Sequence, residues 1–183
     1  EDLILDGHRS DNEEINGNYS GAVFLQQCHR YLFRRVTARD YHGDGFSFQI
    51  CDDIRFENCQ SLGNANLGFH PGSGSQRPVF RDCVGDGNSQ GLFFCWGVTD
   101  GRVEGGQFCD NTDYGMSIGH RDTDNRICGA NFTGNHKTGL RFREPLHGYR
   151  GGHRNTIEQC GFADNGFAED GVAIDVRGLT HDT

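Results

Sequence analysis

The chain has 183 residues, 34% of them apolar and 23% charged, which suits one domain with a real core and excludes a disordered tail. Twenty-eight glycines against three prolines mark frequent bends, but without a Gly-X-Y period a collagen-like chain is excluded. A formal charge of −9, with Lys137 the single lysine, argues against a nucleic-acid partner, and no apolar run is long enough to suggest a membrane span.

In chain order, a strand-like Leu3-Ile4-Leu5 comes first, followed by glycines at 21, 45, 68, 91, 115, 139 and 171, at intervals of 24, 23, 23, 24, 24 and 32. Each opens a short strand, from Gly21-Ala22-Val23-Phe24 to Gly171-Val172-Ala173-Ile174, whose first and third residues after glycine are apolar. That alternation is the signature of a strand buried on one face, so Ala22 and Phe24, Phe46 and Phe48, and their counterparts to Val172 and Ile174 are expected inside. Half a repeat later a second register runs through Phe56, Phe80, Val103, Ile127 and Ile157. Two short strands in ~24 residues are too little chain for a propeller blade and suit one turn of a β-solenoid. Asn64, Asn88, Asn111 and Asn135 keep the same period and are expected to stack at a corner, in the left-handed conformation a tight bend needs.

These ladders resemble the right-handed parallel β-helix group that includes pectate lyases, polygalacturonase-type hydrolases and mannuronan epimerases. The resemblance covers the whole chain and implies an all-β fold: one single-stranded right-handed parallel β-helix over residues 1–183, with about seven coils of 23–24 residues. The epimerase motif Tyr-Gly-Phe/Ile-Asp-Pro-His is matched by Tyr114 and Gly115 and, one place late, by His120. Leu67-Gly68-Phe69-His70-Pro71-Gly72 matches its Gly, Phe and Pro.

Because coils stack at ~4.8 Å, residues one repeat apart become neighbours. Trp96, His120 and Glu144 are each 24 residues from the next and are expected on consecutive rungs. On the outward face, His70, Arg141, Arg143 and Gln49 add polar groups, and the turn-rich segment through Gln76 and Arg77 flanks them. The longest coil carries most of its extra length between Arg143 and Thr156, where Tyr149 could close over the cluster. Proton abstraction alpha to a uronate carboxylate needs an electrophile, a base and an acid. Arg141 and Arg143 suit the carboxylate, His120 or His70 the base, and Tyr149 or Tyr114 the acid, with Glu144 on the adjoining rung. Trp96 offers a platform for a sugar ring, with Gln49, Gln76, Arg77 and Arg121 as further contacts.

The expected activity is therefore that of a polysaccharide lyase on an anionic, uronate-containing polymer. A hydrolase using paired carboxylates, at Asp52-Asp53 or Asp122 and Asp124, and a non-catalytic glycan-binding segment are the alternatives. No cofactor is required, although Asp122 and Asp124 could hold Ca2+. No C-x-x-C pair occurs among the eight cysteines, and side chains stacked in parallel suit buried thiols better than disulfides. A polysaccharide substrate implies an extracellular or periplasmic location, and ends without a cap helix imply a longer parent chain or end-to-end self-association.

Overall fold

A computed structural model describes residues 1–12, 21–144, 151–168 and 171–177. Every strand pairing in it is parallel and joins residues about one repeat apart, so the chain winds as a β-solenoid. One wall has seven strands: Val23–Gln26, Phe46–Gln49, Leu67–Gly72, Gln90–Phe93, Tyr114–Ile118, Thr138–Phe142 and Ile174–Val176. A second wall of six runs from Leu32–Arg34 to Thr156–Glu158. The third is split into four strands and two, joined through single bridges at Gln107. A further ladder of bridges, Asp52 to Gln76 to Thr99 to Thr123, forms the corner between the first two walls. The glycine count slightly overestimates the coils, since the solenoid has about five turns.

Aromatic stacking fills the interior. Phe33, Phe56 and Phe80 stack on the second wall at 5.0 and 5.3 Å, while Phe46 and Phe69 stack on the first at 5.2 Å. Such offset ring pairs add to the stabilisation from apolar burial alone. The repeated glycine is fixed by crowding: a Cβ on Gly91 would lie 2.6 Å from the Gly85 carbonyl and 2.8 Å from that of Gly115. All eight cysteines are unbridged.

Two end strands depart from the expected register. Val23, rather than Ala22, pairs with Phe46, so Phe24 faces outward beside Ser47. A slip of one residue exchanges the faces of a strand, and here it turns Val23 and Leu25 inward against the core. At the other end Ile174 pairs with Leu140, which places Asp175 beside Arg141 rather than Arg143.

The asparagine ladder forms, by a different device than expected. The left-handed residue is the one before each asparagine: Gly63 (φ 60°), Gly87 (φ 67°), Asp110 (φ 53°) and Gly134 (φ 68°). The asparagine amides instead close hydrogen bonds between coils. The Asn111 carboxamide oxygen accepts the Asn88 N–H at 3.0 Å, and its NH2 donates to the Gly85 carbonyl at 3.0 Å. Asn64, Asn88 and Asn135 repeat this pattern, satisfying polar backbone that the corner buries.

Candidate active site on the first wall

Alternation along the seven-stranded wall turns Ser47, His70, Phe93, Ser117 and Arg141 to its outer face, in register from coil to coil. His70 is buried at 5% exposure, and its Nδ1 lies 2.8 Å from Asp44 Oδ2. Asp44 is fully buried and its other oxygen accepts the Leu67 N–H, so the carboxylate fixes the orientation of the imidazole. The His70 ring meets Phe93 edge-on at 5.1 Å, and the Arg143 guanidinium lies 4.1 Å above the same phenyl ring.

Further along the wall, Arg141 Nη1 donates to the Tyr114 hydroxyl at 2.5 Å, and its guanidinium lies 5.0 Å from the centre of the phenol ring. Lys137 Nζ is 5.8 Å from that ring centre and is held by Asp113. Asp175 lies 3.9 Å from Arg141 Nε. Ser117 donates to Gln90 Oε1 at 2.6 Å, between the His70 and Arg141 ends of the face.

Arg143 is a rivet rather than an open clamp. It donates to Ser117 Oγ at 2.7 Å and to the Phe94 carbonyl at 2.6 Å, and it pairs with Asp122 at 3.4 Å. Burial lowers its pKa, with Asp122 opposing that shift. Asp122 is fully buried and accepts the N–H groups of Gly97, Val98 and Gly119, tying two successive corners together. Burial pushes its pKa up to about 6, against the pull of Arg143 and the three amides. The folded protein therefore holds this proton more tightly than the unfolded chain. The resulting stabilisation is complete below the ordinary value of 3.8 and is lost as the pH rises towards about 6. Denaturant unfolding should accordingly show wild type losing stability relative to Asp122→Asn across that window, and a constant difference would contradict the assignment.

The residues expected to share a site divide into groups. Trp96 and His120 stack on neighbouring coils at 4.8 Å, as their spacing predicts. His120 is 5% exposed with Nδ1 lacking a hydrogen-bond partner, and burial followed by the Arg143 charge lowers its pKa, which favours the neutral imidazole. Glu144 is exposed and pairs with Arg177 at 3.8 Å. Gln49 lies on the wall between Gln26 and Gly72. Gln76 and Arg77 lie on the corner ladder, off the wall face, because the Leu67–Gly72 strand ends before them. Arg77 is held there by a two-point contact with Asp53. Tyr149 lies outside the described residues.

Asp122 and Asp124 do not converge as a cation site. Asp122 points its oxygens at N–H donors, and Asp124 binds Arg154 through both oxygens at 2.7 Å. Among the described residues no cluster of three or more His, Cys, Asp or Glu is arranged to hold a metal. The carboxylates considered for hydrolysis are similarly engaged, Asp53 by Arg77 and Asp52 beside His29 at 3.4 Å. Asp44 is the functional candidate that sequence reasoning missed. Its only signal is its place before Gly45, on the coil preceding His70.

The fold has solved counterparts. The mannuronan C-5 epimerase AlgE4 A-module of Azotobacter vinelandii superposes with a TM-score of 0.69 at 22% identity, covering 82% of this chain and 40% of that one. The AlgE6 A-module of the same organism gives 0.57 at 16% identity, covering 80% and 45%. The chain thus spans less than half the length of either structure. A search of curated proteins gives no match. Residues 6–108 match the family described as a right handed beta helix region, and the coil-by-coil register agrees with it: this chain belongs to the right-handed β-helix family.

Proposed function

We propose that the outer face of the first wall acts on a uronate-containing polysaccharide, removing the proton alpha to the carboxylate. The observation that carries this reading is the Arg141–Tyr114 contact, a guanidinium hydrogen-bonded to a phenol, both half-buried on the outer face of the wall. Arg141 binds and neutralises the sugar carboxylate, which makes the adjoining C–H more acidic. The reaction starts from the Tyr114 phenolate, whose negative oxygen the Arg141 guanidinium faces; that oxygen takes the proton and becomes the neutral phenol. The C–H electron pair forms the new C=C bond while the bond to the glycosidic oxygen breaks, and Tyr114 returns the proton to the departing oxygen. Chain cleavage by this route consumes no water and leaves an unsaturated uronate end. Likeness to mannuronan epimerase modules supports a mannuronate-containing polymer as the first choice, and a substrate of that kind favours an extracellular or periplasmic location.

The test is incubation with polymannuronate, polyguluronate and polygalacturonate, monitored by the ultraviolet absorbance of the unsaturated product and by NMR of the sugar configuration. Absorbance growth on one of these polymers is expected. Inverted configuration without absorbance would turn the reading from elimination to epimerisation, whereas new reducing ends without either would mean hydrolysis and overturn it.

A further inference from the structure

Beyond the wall, where the chain turns its corner, there is a cavity of about 560 Å³ lined by Ser73, Gly74, Trp96, Gly97, Thr99 and Arg121. We propose that this is a second binding site, a subsite for one uronosyl unit of an anionic polysaccharide. That the polymer is the same one processed on the wall rests on the reading above.

The corner is built for a ring-shaped ligand. Trp96 lies against the His120 imidazole at 4.8 Å with planes 21° apart, which fixes the attitude of the indole. Flat aromatic surfaces of this kind receive the C–H face of a sugar. The floor beneath has no side chains: a Cβ added at Gly74 would meet nothing within 4 Å, and one at Gly97 would only reach Gly74 at 4.0 Å. Ser73 and Thr99 supply hydroxyls at the margin. Three coils make this corner with the same backbone, and its second residue is left-handed in each: Gly74 (φ 79°), Gly97 (φ 82°) and Arg121 (φ 71°). Glycine takes that conformation freely and arginine does not, so the third coil keeps a guanidinium where the other two have the easier residue. Arg121 is exposed on the rim and gives the cavity its charge preference, for a carboxylate. Asp122 fixes the whole corner by accepting the Gly97, Val98 and Gly119 N–H groups, and Arg143 ties Asp122 to the wall. The subsite and the wall face are therefore held at a set separation along one polymer path.

Trp96 is the only tryptophan of the chain, so its emission reports on this corner alone. The experiment titrates the full chain carrying Tyr114→Phe, which slows turnover, with a mannuronate oligosaccharide and with a neutral mannose oligosaccharide of equal length. A saturable emission change is expected with the charged sugar and a far weaker one with the neutral. Arg121→Gln should raise Kd about tenfold, the loss of one charge-assisted contact. Arg121→Gly, which suits the backbone, should do the same. An absent response, an equal response to the neutral sugar, or an affinity unchanged in both Arg121 variants would overturn the subsite. If wild type responds in this way yet turns over no polyuronate, the subsite stands and the wall reading falls. Turnover without an emission change has the opposite meaning.

Discussion

Replacing Tyr114 with phenylalanine is expected to lower kcat on a polyuronate by about 10²–10⁴-fold, the range for removing a positioned acid–base group. The substitution removes one oxygen and leaves the ring beside Arg141 and Lys137, so it deletes the proton carrier without emptying the site. Arg141 keeps Asp175 within 3.9 Å and can still bind a carboxylate, so KM should change little. Steady-state kinetics on the purified variant, with circular dichroism to show the fold intact, separates the two parameters. A rise in KM with kcat unchanged would assign Tyr114 to substrate binding and move the proton transfer elsewhere on the face. The Asp44-oriented His70 would then be the leading group.

The largest expected effect on stability belongs to Phe56. Its ring stacks between Phe33 at 5.0 Å and Phe80 at 5.3 Å, and it meets Phe46 and Phe69 edge-on at 5.3 and 5.5 Å. The side chain is 1% exposed, and the solenoid backbone that surrounds it is held by hydrogen bonds on every side. Collapse into the vacated space is therefore limited. Phe56→Ala should cost about 3–5 kcal/mol of unfolding free energy, measured by denaturant titration. Phe24→Ala serves as the contrast, because Phe24 faces outward at 37% exposure. Its substitution should cost far less. Equal costs would mean that the register of the first coil is not the one described.

This comparison also marks how far the sequence alone could be read. A strict 23–24-residue period with alternating apolar residues makes stacking of like positions almost unavoidable, which is why the wall, its inner phenylalanines and the Trp96–His120 contact were legible in advance. The period is silent where it breaks. Ahead of Phe46 the hydrogen bonds from Val23 N–H to Gly45 O and from Ala22 N–H to Asp44 O set the pairing, and a glycine column cannot reveal that one-residue slip. The corners were harder still. Asn111 looked like a bend residue because asparagine tolerates bends, but Asp110 bends and Asn111 bonds.

The chemistry was legible as a location and not as a wiring. Arg141 and Arg143 are equivalent in the sequence pattern, two outward positions on one strand. In the folded chain Gly119 offers no side chain beneath Arg143, which lies across it to reach Ser117 and Asp122, while Arg141 meets a phenol. Asp122 resembled a cation ligand for the same reason, since nothing in an acidic turn states that backbone amides will surround it. Asp44 went unseen because its partner His70 is 26 residues away, off the repeat by a few positions.

The most direct test of proton abstraction uses a polyuronate deuterated at the carbon that bears the carboxylate. With the polymer on which turnover is observed, a primary isotope effect on the rate is predicted, because that C–H bond breaks on the path to product by elimination or epimerisation alike. Equal rates for the two polymers, under conditions where the chemical step limits turnover, would contradict the account and leave the wall of Tyr114 and Arg141 as a surface that only holds its polymer.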